Sequence, residues 1–568
     1  MPIVRRFYLP LLILLCALWS FIPIEGGDDF WAHAAIGRIV LDTGHVPKST
    51  VFLWSADIPW VFHSYGSGVL FAFLLRLGGP ALGPWICLVL NFLLAVAPLL
   101  FIWRYVKQRL GEVPLVLVCL FVPALWFSSV RWRLRPESFT VVFLTITLLF
   151  LAREKRPLWH YFAIVGMFAL WPNLHAGVLA GIMMLWIGAV TDAAQKLLGR
   201  GAEVTPIADE SSNPATLPAQ APTGRRIDWS LFALAAVCSI LPLLCNPWGL
   251  NYRSVFAGTA ATSNHISEWR PFWAFPAMNW QVAWGLCVLC VIAVAVWLSD
   301  RRRRWVIGGA LLLLIGLWLQ ARRQMSLTSM TCMVALAQSA ALLTGERVYA
   351  ALRNAPHLVG SLMALFGRPR SYTPLKREDV QLDDLMRLIG QVGTLIILIC
   401  ACVVNIPNNG FRAVGKTAPI AMSQFLMSPW TPPGRIFNDY EYSAALEWYL
   451  DGKRPLYIDL INAYPPKIFD DWFEVAHATE KGKKILDDKK VDVIALRPIG
   501  EKNEKDPIYN LAKYLESSPQ GKQKWKQIYK GVDGRVWERR QLYNAPVFFN
   551  AGRGRHQAPR PGSRTTPG

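Results

Sequence analysis

The sequence predicts an α-helical polytopic membrane protein of about 11 transmembrane helices that carries a small C-terminal α/β domain. Three observations predict it. Apolar residues make up 53% of the 568 and charged residues only 17%, too little charge for a soluble chain of this length. Apolar runs near the length of a bilayer crossing recur from residue 7 to residue 405. From about Asn408 the pattern changes to short strand-like runs alternating with helical ones. The net charge of +21 does not indicate a nucleic-acid partner, because the arginines and lysines cluster in loops between apolar runs, where they set topology. All ten cysteines, Cys16 to Cys402, lie in or at the ends of apolar runs without a His or Cys at metal spacing, so they read as packing residues.

The candidate spans lie near 7–24, 81–103, 113–130, 137–152, 158–172, 176–191, 229–246, 281–299, 305–320, 326–344 and 388–405, giving a membrane module over 1–405. Arg5 and Arg6 precede the first run, which lacks a small-residue cleavage site, so it reads as a retained anchor with a cytoplasmic N-terminus. Residues 25–80 form a first outer loop with interfacial helices. Within it the apolar core of Tyr65 to Gly79 is only about a dozen residues long and is broken by Gly66, Gly68 and Arg76, which suits an interfacial or re-entrant helix. With that stretch left out, the inner loops collect Arg104, Lys107 and Arg109, then Arg153 to Arg156, Arg225 and Arg226, Arg301 to Arg304, and a basic cytoplasmic segment at 346–387. Residues 197–228, rich in Ala, Pro, Ser and Thr, read as a disordered cytoplasmic loop, and 546–568 as a disordered tail.

Between them, 406–545 reads as an outer α/β domain. Its strands are expected at Arg435 to Phe437, Pro455 to Ile458 and Val491 to Leu496, with a hairpin from Trp525 to Tyr529 and Gly534 to Arg539; its helices are expected at 441–451, 466–489 and 507–516.

This sidedness gathers the polar motifs on the outer face. Asp29 and His33 are four residues apart, so on a helix they share a face and can meet one metal ion or one substrate hydroxyl. Asp28 or Asp29 could equally cap that helix, with Asp28 the expected cap. Arg131, Arg133 and Arg135 alternate at an aromatic membrane edge ahead of Pro136 and Glu137; arginines so placed can grip phosphate or simply anchor the interface. Asn173 and His175 sit in a tight break between two spans, Glu268 is the candidate acid of a long outer loop, and Arg322 and Arg323 form an outer pair against the charge bias. The spans carry almost no ionisable residue at mid-depth, with Asn91 among the few strongly polar side chains there, and no inverted repeat is visible; both argue against a transporter or flippase. A noncatalytic envelope protein displaying the α/β domain is a further alternative.

Asp29-Phe30-Trp31-Ala32-His33 with Gly37 resembles the first-loop motif of bacterial polytopic proteins similar to type C (GT-C fold) glycosyltransferases. Pro59-Trp60 with His63, Arg135-Pro136, Trp171 to Gly177, Asn246 to Gly249, Glu268-Trp269, Arg322-Arg323, Phe437 to Tyr440 and Tyr457 to Asp459 follow in the family's order, so the resemblance covers most of the chain. Ala32 stands where a second Trp is usual, and Leu460-Ile461 where a Gly-Arg pair is common.

The resemblance implies a GT-C-like enzyme of the bacterial inner (cytoplasmic) membrane, with its C-terminal domain extracytoplasmic. It would take a sugar from a polyprenyl-phosphate carrier and move it to an envelope glycan, lipid or protein acceptor. It implies Asp29 as the catalytic carboxylate, with Asp28 and Glu137 as further candidates. His33, His63, Arg135, Asn173, His175, Glu268, Arg322 and Arg323 are the substrate-binding candidates. A divalent metal such as Mg or Mn would find its candidate ligands in Asp29, His33 and Glu268.

Overall fold

The computed structural model describes residues 2–198, 227–253, 271, 280–300, 302–344, 379–406, 412–462, 464–498 and 506–540. Glu268, the tail at 546–568, and most of the segments 197–228 and 346–387 lie outside the described residues. Each expected apolar run coincides with a helix: α1 (Pro2–Ser20), α3 (Tyr65–Leu110), α4 (Leu115–Ser129), α5 (Glu137–Ala152), α6 (Leu158–Leu174), α7 (Val178–Leu197), α8 (Trp229–Leu244), α9 (Trp280–Ser299), α10 (Trp305–Gln320), α11 (Met325–Gln338) and α12 (Asp379–Val404). An additional helix, α2 (Phe30–Thr43), follows Asp29. By length and composition α3, α7 and α9 can cross a membrane, while α4, α5, α8, α10 and Leu388–Val404 of α12 are shorter apolar helices.

Prolines mark several starts. Pro114, Pro136 and Pro157 stand immediately before α4, α5 and α6, where a missing N–H costs nothing. Helix α3 is broken at Gly79, whose φ of 61° and ψ of −168° are not helical. Its first arm, Tyr65 to Gly78, is roughly 21 Å long, short of the ~30 Å hydrocarbon core. That arm packs on α2 through facing glycines: a Cβ at Gly37 would overlap the Gly68 carbonyl, and one at Gly68 the His33 carbonyl. Gly37→Ala is therefore expected to destabilise the protein by about 1–3 kcal/mol, seen as a lower Tm in detergent, because neither backbone can retreat.

One apolar cluster joins the membrane helices, with Phe121, Trp171, Trp318 and Met333 almost fully buried. Glu137, His175 and Arg323 line one cavity and so share one end of the bundle. At the other end the Arg304–Asp192 ion pair (2.6 Å) and the Arg109 Nη1 bond to the Gln338 carbonyl (2.6 Å) tie neighbouring helices together.

Beyond α12 the chain builds a four-stranded sheet, β1 (Arg435–Asn438), β2 (Val491–Leu496), β3 (Trp525–Lys530) and β4 (Arg535–Arg539), in the order β1-β2-β4-β3. Strand β1 runs parallel to β2, and the other pairs are antiparallel. Helices α13 (Ile420–Met427), α14 (Ser443–Leu450), α15 (Pro466–Ala476), α16 (Glu480–Asp488), α17 (Pro507–Ser517) and α18 (Pro519–Lys524) surround it. Central β2 is buried almost throughout, as its run of apolar residues requires.

Two expectations about this region are corrected. Pro455 to Ile458 is not a sheet strand, because the amides of Tyr457 and Ile458 donate to Asn438 Oδ1 (2.8 and 3.2 Å), a side chain taking the place of a neighbouring strand. Leu456 instead bridges Leu53. The pattern at 466–489 is two helices, divided where Ala478 adopts a φ of 53° and Thr479 caps α16 by accepting from the Gly482 amide.

The first outer loop is thereby stitched to the sheet domain. Leu456 N–H donates to Phe52 O (2.7 Å), Trp54 Nε1 to Ile436 O (2.8 Å), and Ile24 N–H to Ala413 O (2.9 Å). Arg38 of α2 lies over the Trp448 ring of α14 at 4.3 Å and donates to its carbonyl (2.8 Å). Helix α2 is thus fixed between the bundle end and the sheet domain.

Candidate functional site

A cavity of about 2030 Å³ lies where the bundle end, α2 and the sheet domain meet. The turn between α4 and α5 supplies Arg131, Arg135 and Pro136 to its wall. That turn is held by Asn91 Nδ2, which donates to the carbonyls of Ser20 (2.7 Å) and Trp132 (2.6 Å), and by Trp132 Nε1 on Ser128 Oγ (3.0 Å). The buried amide of Asn91 thus holds the turn that carries the arginines.

The three alternating arginines reach three different carboxylates. Arg131 Nη2 pairs with Glu137 Oε2 at 2.7 Å, Arg133 Nη1 with Asp28 Oδ1 at 2.7 Å, and Arg135 Nη1 with Asp29 Oδ2 at 3.7 Å. Arg323 approaches Glu137 Oε2 at 3.6 Å from the short 3₁₀ turn Arg322–Gln324. Two arginines therefore share one buried acid beside a third arginine and an open carboxylate.

Asp29 and Asp28 have different fates. Asp29 stands at the N-terminus of α2, makes no side-chain cap, lines the cavity and keeps 37% of its side chain exposed to it. Asp28 does not cap α2 as expected: its side chain is 4% exposed, accepts from the Glu25 amide (2.8 Å) and Arg133, and is turned away from the cavity. Asp28→Ala is expected to cost about 1–3 kcal/mol of stability, by leaving Arg133 and the Glu25 N–H unmatched, while activity per folded molecule changes by less than about threefold. Thermal unfolding alongside a transfer assay separates the two effects.

Burial works to raise the Asp29 pKa, but Arg135, His33, Arg131 and Arg323 together outweigh it and hold the carboxylate below the usual aspartate value. Burial pushes His33 down to about 4 against the opposing pull of Asp29, with Arg135 adding to the depression. Burial with His175 and His33 nearby takes His63 to about 3; burial with Arg323 and His33 takes His175 to about 4, against Glu137. The cavity at neutral pH is therefore lined by ionised Asp29, arginines and neutral imidazoles.

His33, His63, Arg135, Glu137, His175 and Arg323 all line the cavity. Asn173 and Arg322 do not. Asn173 Oδ1 accepts from Tyr65 Oη (3.0 Å), and its Nδ2 donates to the Cys245 carbonyl (2.9 Å), so it joins the α6–α7 break to α3 and the end of α8. Arg323, not its neighbour, faces the acid cluster. Arg131 was legible as the first of the alternating arginines, but its alternation alone did not distinguish it from Arg133.

The sheet domain supplies the opposite wall, which motif reading did not resolve. Tyr440, Glu441, Asn462, Arg497 and Asp506 line it, with Tyr440 Oη donating to Asn462 Oδ1 (3.2 Å) and Arg497 Nη1 to buried Asp439 (3.3 Å). Desolvation raises the pKa of Asp439 despite Arg497. The sequence signals for this wall were Phe437 to Tyr440 and the motif from Tyr457 to Asp459, next to which Leu460 and Ile461 line it; Arg497 and Asp506 lie in no motif.

Among the described residues no group of three His, Cys, Asp or Glu side chains could hold a metal ion. Of the expected ligands, Asp29 and His33 share one wall, but Arg135 stands at the Asp29 carboxylate where a cation would bind. Glu268, the third expected ligand, lies outside the described residues.

No protein-family model matches the chain, and no curated protein matches it. Among solved structures, the archaeal oligosaccharyltransferase AglB from Archaeoglobus fulgidus, in complex with an inhibitory peptide and a dolichol-phosphate, aligns with a TM-score of 0.53 and 11% identity, covering 96% of this chain and 75% of its own. ArnT from Cupriavidus metallidurans bound to undecaprenyl phosphate aligns with a TM-score of 0.49 and 12% identity, over 93% of this chain and 96% of its own. The likeness to AglB is one of fold, and it agrees with the GT-C-like architecture expected from the ordered motifs.

Proposed function

We propose that the protein is a membrane glycosyltransferase that moves a sugar from a polyprenyl-phosphate carrier to an acceptor on the outer face of the membrane, with eleven spans and a cytoplasmic N-terminus. The observation that carries this reading is the cavity wall itself: an open carboxylate, Asp29, beside Arg135, and within the same cavity Arg131 and Arg323 around Glu137. A transfer of this kind needs an acceptor for a hydroxyl proton and positive charge for a departing phosphate. The fold is shared with AglB, which was captured with a dolichol-phosphate.

In the proposed reaction the acceptor oxygen bonds to the anomeric carbon as the bond from that carbon to the carrier phosphate breaks. Asp29, held ionised, orients the hydroxyl by accepting its hydrogen bond and takes the proton late, once the oxygen has become acidic through bond formation. Arg135, Arg131 and Arg323 receive the negative charge that develops on the phosphate, as fixed donors that need no reorganisation. Glu137 keeps Arg131 and Arg323 together, and the sheet domain's wall is where the acceptor would rest.

Purified protein in liposomes containing a polyprenyl-phosphate-linked sugar should release the carrier phosphate only when an acceptor is added. Movement of the lipid across the bilayer without release of carrier phosphate would instead indicate a flippase. The transfer rate is expected to stay level from about pH 8 down to about pH 5. The sign follows from the depressed pKa values: Asp29 is held ionised below its ordinary value, and His33 and His175, at about 4, stay neutral down to about pH 5. A rate that halves near pH 6.5 would show an ordinary histidine in control.

A further inference from the structure

His175 is held by three groups that leave its ring no choice of tautomer. The Gly177 backbone N–H donates to His175 Nδ1 at 3.0 Å, and an amide can only donate, so Nδ1 must carry a lone pair. Trp171 Nε1, also only a donor, gives its hydrogen to Thr140 Oγ1 at 3.0 Å. The Thr140 hydroxyl proton is then directed to His175 Nδ1, 2.8 Å away. Two donors on Nδ1 place the ring's own proton on Nε2, and Nε2 has no bond to any described residue. Thr140 is 1% exposed and Trp171 is fully buried, so solvent cannot substitute for either.

The local sequence is built around this arrangement. Thr140 lies one turn into α5, where threonine commonly donates to the carbonyl four residues back; its hydroxyl serves the histidine instead. Gly177 has no side chain because a Cβ there would overlap the Thr140 hydroxyl. His175 itself lies in the α6–α7 break in an extended conformation, with its ring 6.4 Å from that of His63. The charged and titratable groups acting on it are Glu137 from α5, Arg131 from the preceding turn, Arg323 from the 3₁₀ turn and His33 from α2, with His63 from the first outer loop.

We propose that Trp171, Thr140 and the Gly177 amide lock His175 as a neutral Nε2–H donor to an oxygen of a phosphate monoester bound beside Arg131 and Arg323, with Thr140 as the positioning residue. The assignment rests on the carrier reading above. A neutral donor complements the arginines: it adds a directed hydrogen bond without a further positive charge that Glu137 would have to balance. It also excludes His175 as the base of the reaction, since the only nitrogen able to accept a proton is already occupied by two donors.

Binding of undecaprenyl phosphate, and separately of inorganic phosphate, to the full-length protein in detergent tests this between pH 5.5 and 8. One hydrogen bond to a charged group corresponds to roughly a tenfold or greater change in affinity, so His175→Ala should weaken undecaprenyl phosphate by about 10- to 100-fold. His175→Gln, which keeps an N–H donor, should stay within about threefold of wild type. Thr140→Val should lose roughly 3- to 30-fold, and Thr140→Ser should restore binding. A parallel pattern with inorganic phosphate would support a phosphate-monoester site independent of the lipid, and the pattern with the lipid alone would support a site that needs the chain. His175→Gln as weak as His175→Ala, Thr140→Val equal to wild type, or wild-type affinity rising about tenfold toward pH 5.5 would each overturn the lock. Wild type that binds neither probe would overturn the carrier reading, and the ligand assigned to His175 with it.

Discussion

Asp29→Asn is expected to cut sugar transfer by roughly 100- to 10,000-fold while the protein still inserts, unfolds at nearly the wild-type temperature and binds the carrier. Asparagine keeps the size of the side chain and can still accept at one oxygen, but it cannot take the hydroxyl proton or carry the charge that faces Arg135 at 3.7 Å. Asp29 makes no helix-cap bond, so the substitution removes no bond on which α2 depends. The measurement is single-turnover release of carrier phosphate in liposomes, with Asp28→Asn run alongside. Asp28 is closed off by Arg133 and the Glu25 amide, so its variant should lose stability more than rate. Full activity in Asp29→Asn would remove this carboxylate from the mechanism.

The second large effect is expected at Arg323. Arg323→Ala should lower transfer by roughly 100- to 1,000-fold, the usual consequence of losing one fixed donor to developing negative charge. Arg322→Ala should change the rate by less than about tenfold, because Arg323 lines the cavity and approaches Glu137 at 3.6 Å while its neighbour is off the wall. Arg323→Lys should recover only part of the rate, since a point charge cannot reproduce a planar fork shared between an acid and a phosphate. Equal losses at the two positions would mean that the pair acts through overall charge and not through this geometry.

Much of the architecture was legible in the chain. Each long apolar run became a helix, because burying about 20 apolar residues dominates every local preference, and Pro136 marked the start of α5. Gly79, with its positive φ, ends the short arm that starts at Tyr65. Strand reading failed at Pro455 to Ile458, whose apolar composition resembles a strand but whose amides are taken by the side chain of Asn438. No local pattern records a partner twenty residues away.

The site divides along the same line. By itself the sequence determined which polar residue types stand between the apolar runs and led to the expectation that they gather at one end of the bundle, where many of them line one cavity. The spacing of Asp29 and His33, the alternating arginines and the Trp171 to Gly177 motif are all periodic or contiguous features, and the physics that creates them acts over a few residues. The resemblance already preferred Asp29 to Asp28, but only the tertiary structure decided between other near neighbours: Arg323 over Arg322, His175 over Asn173, and the addition of Thr140, Tyr440 and Arg497. Adjacent residues differ by about 100° around a helix or turn, so which of a pair meets the cavity depends on helix packing angles and on where the sheet domain docks. Those are set by contacts such as Gly37 on Gly68 and Arg38 on Trp448, between residues that are far apart in the chain and close only once it has folded.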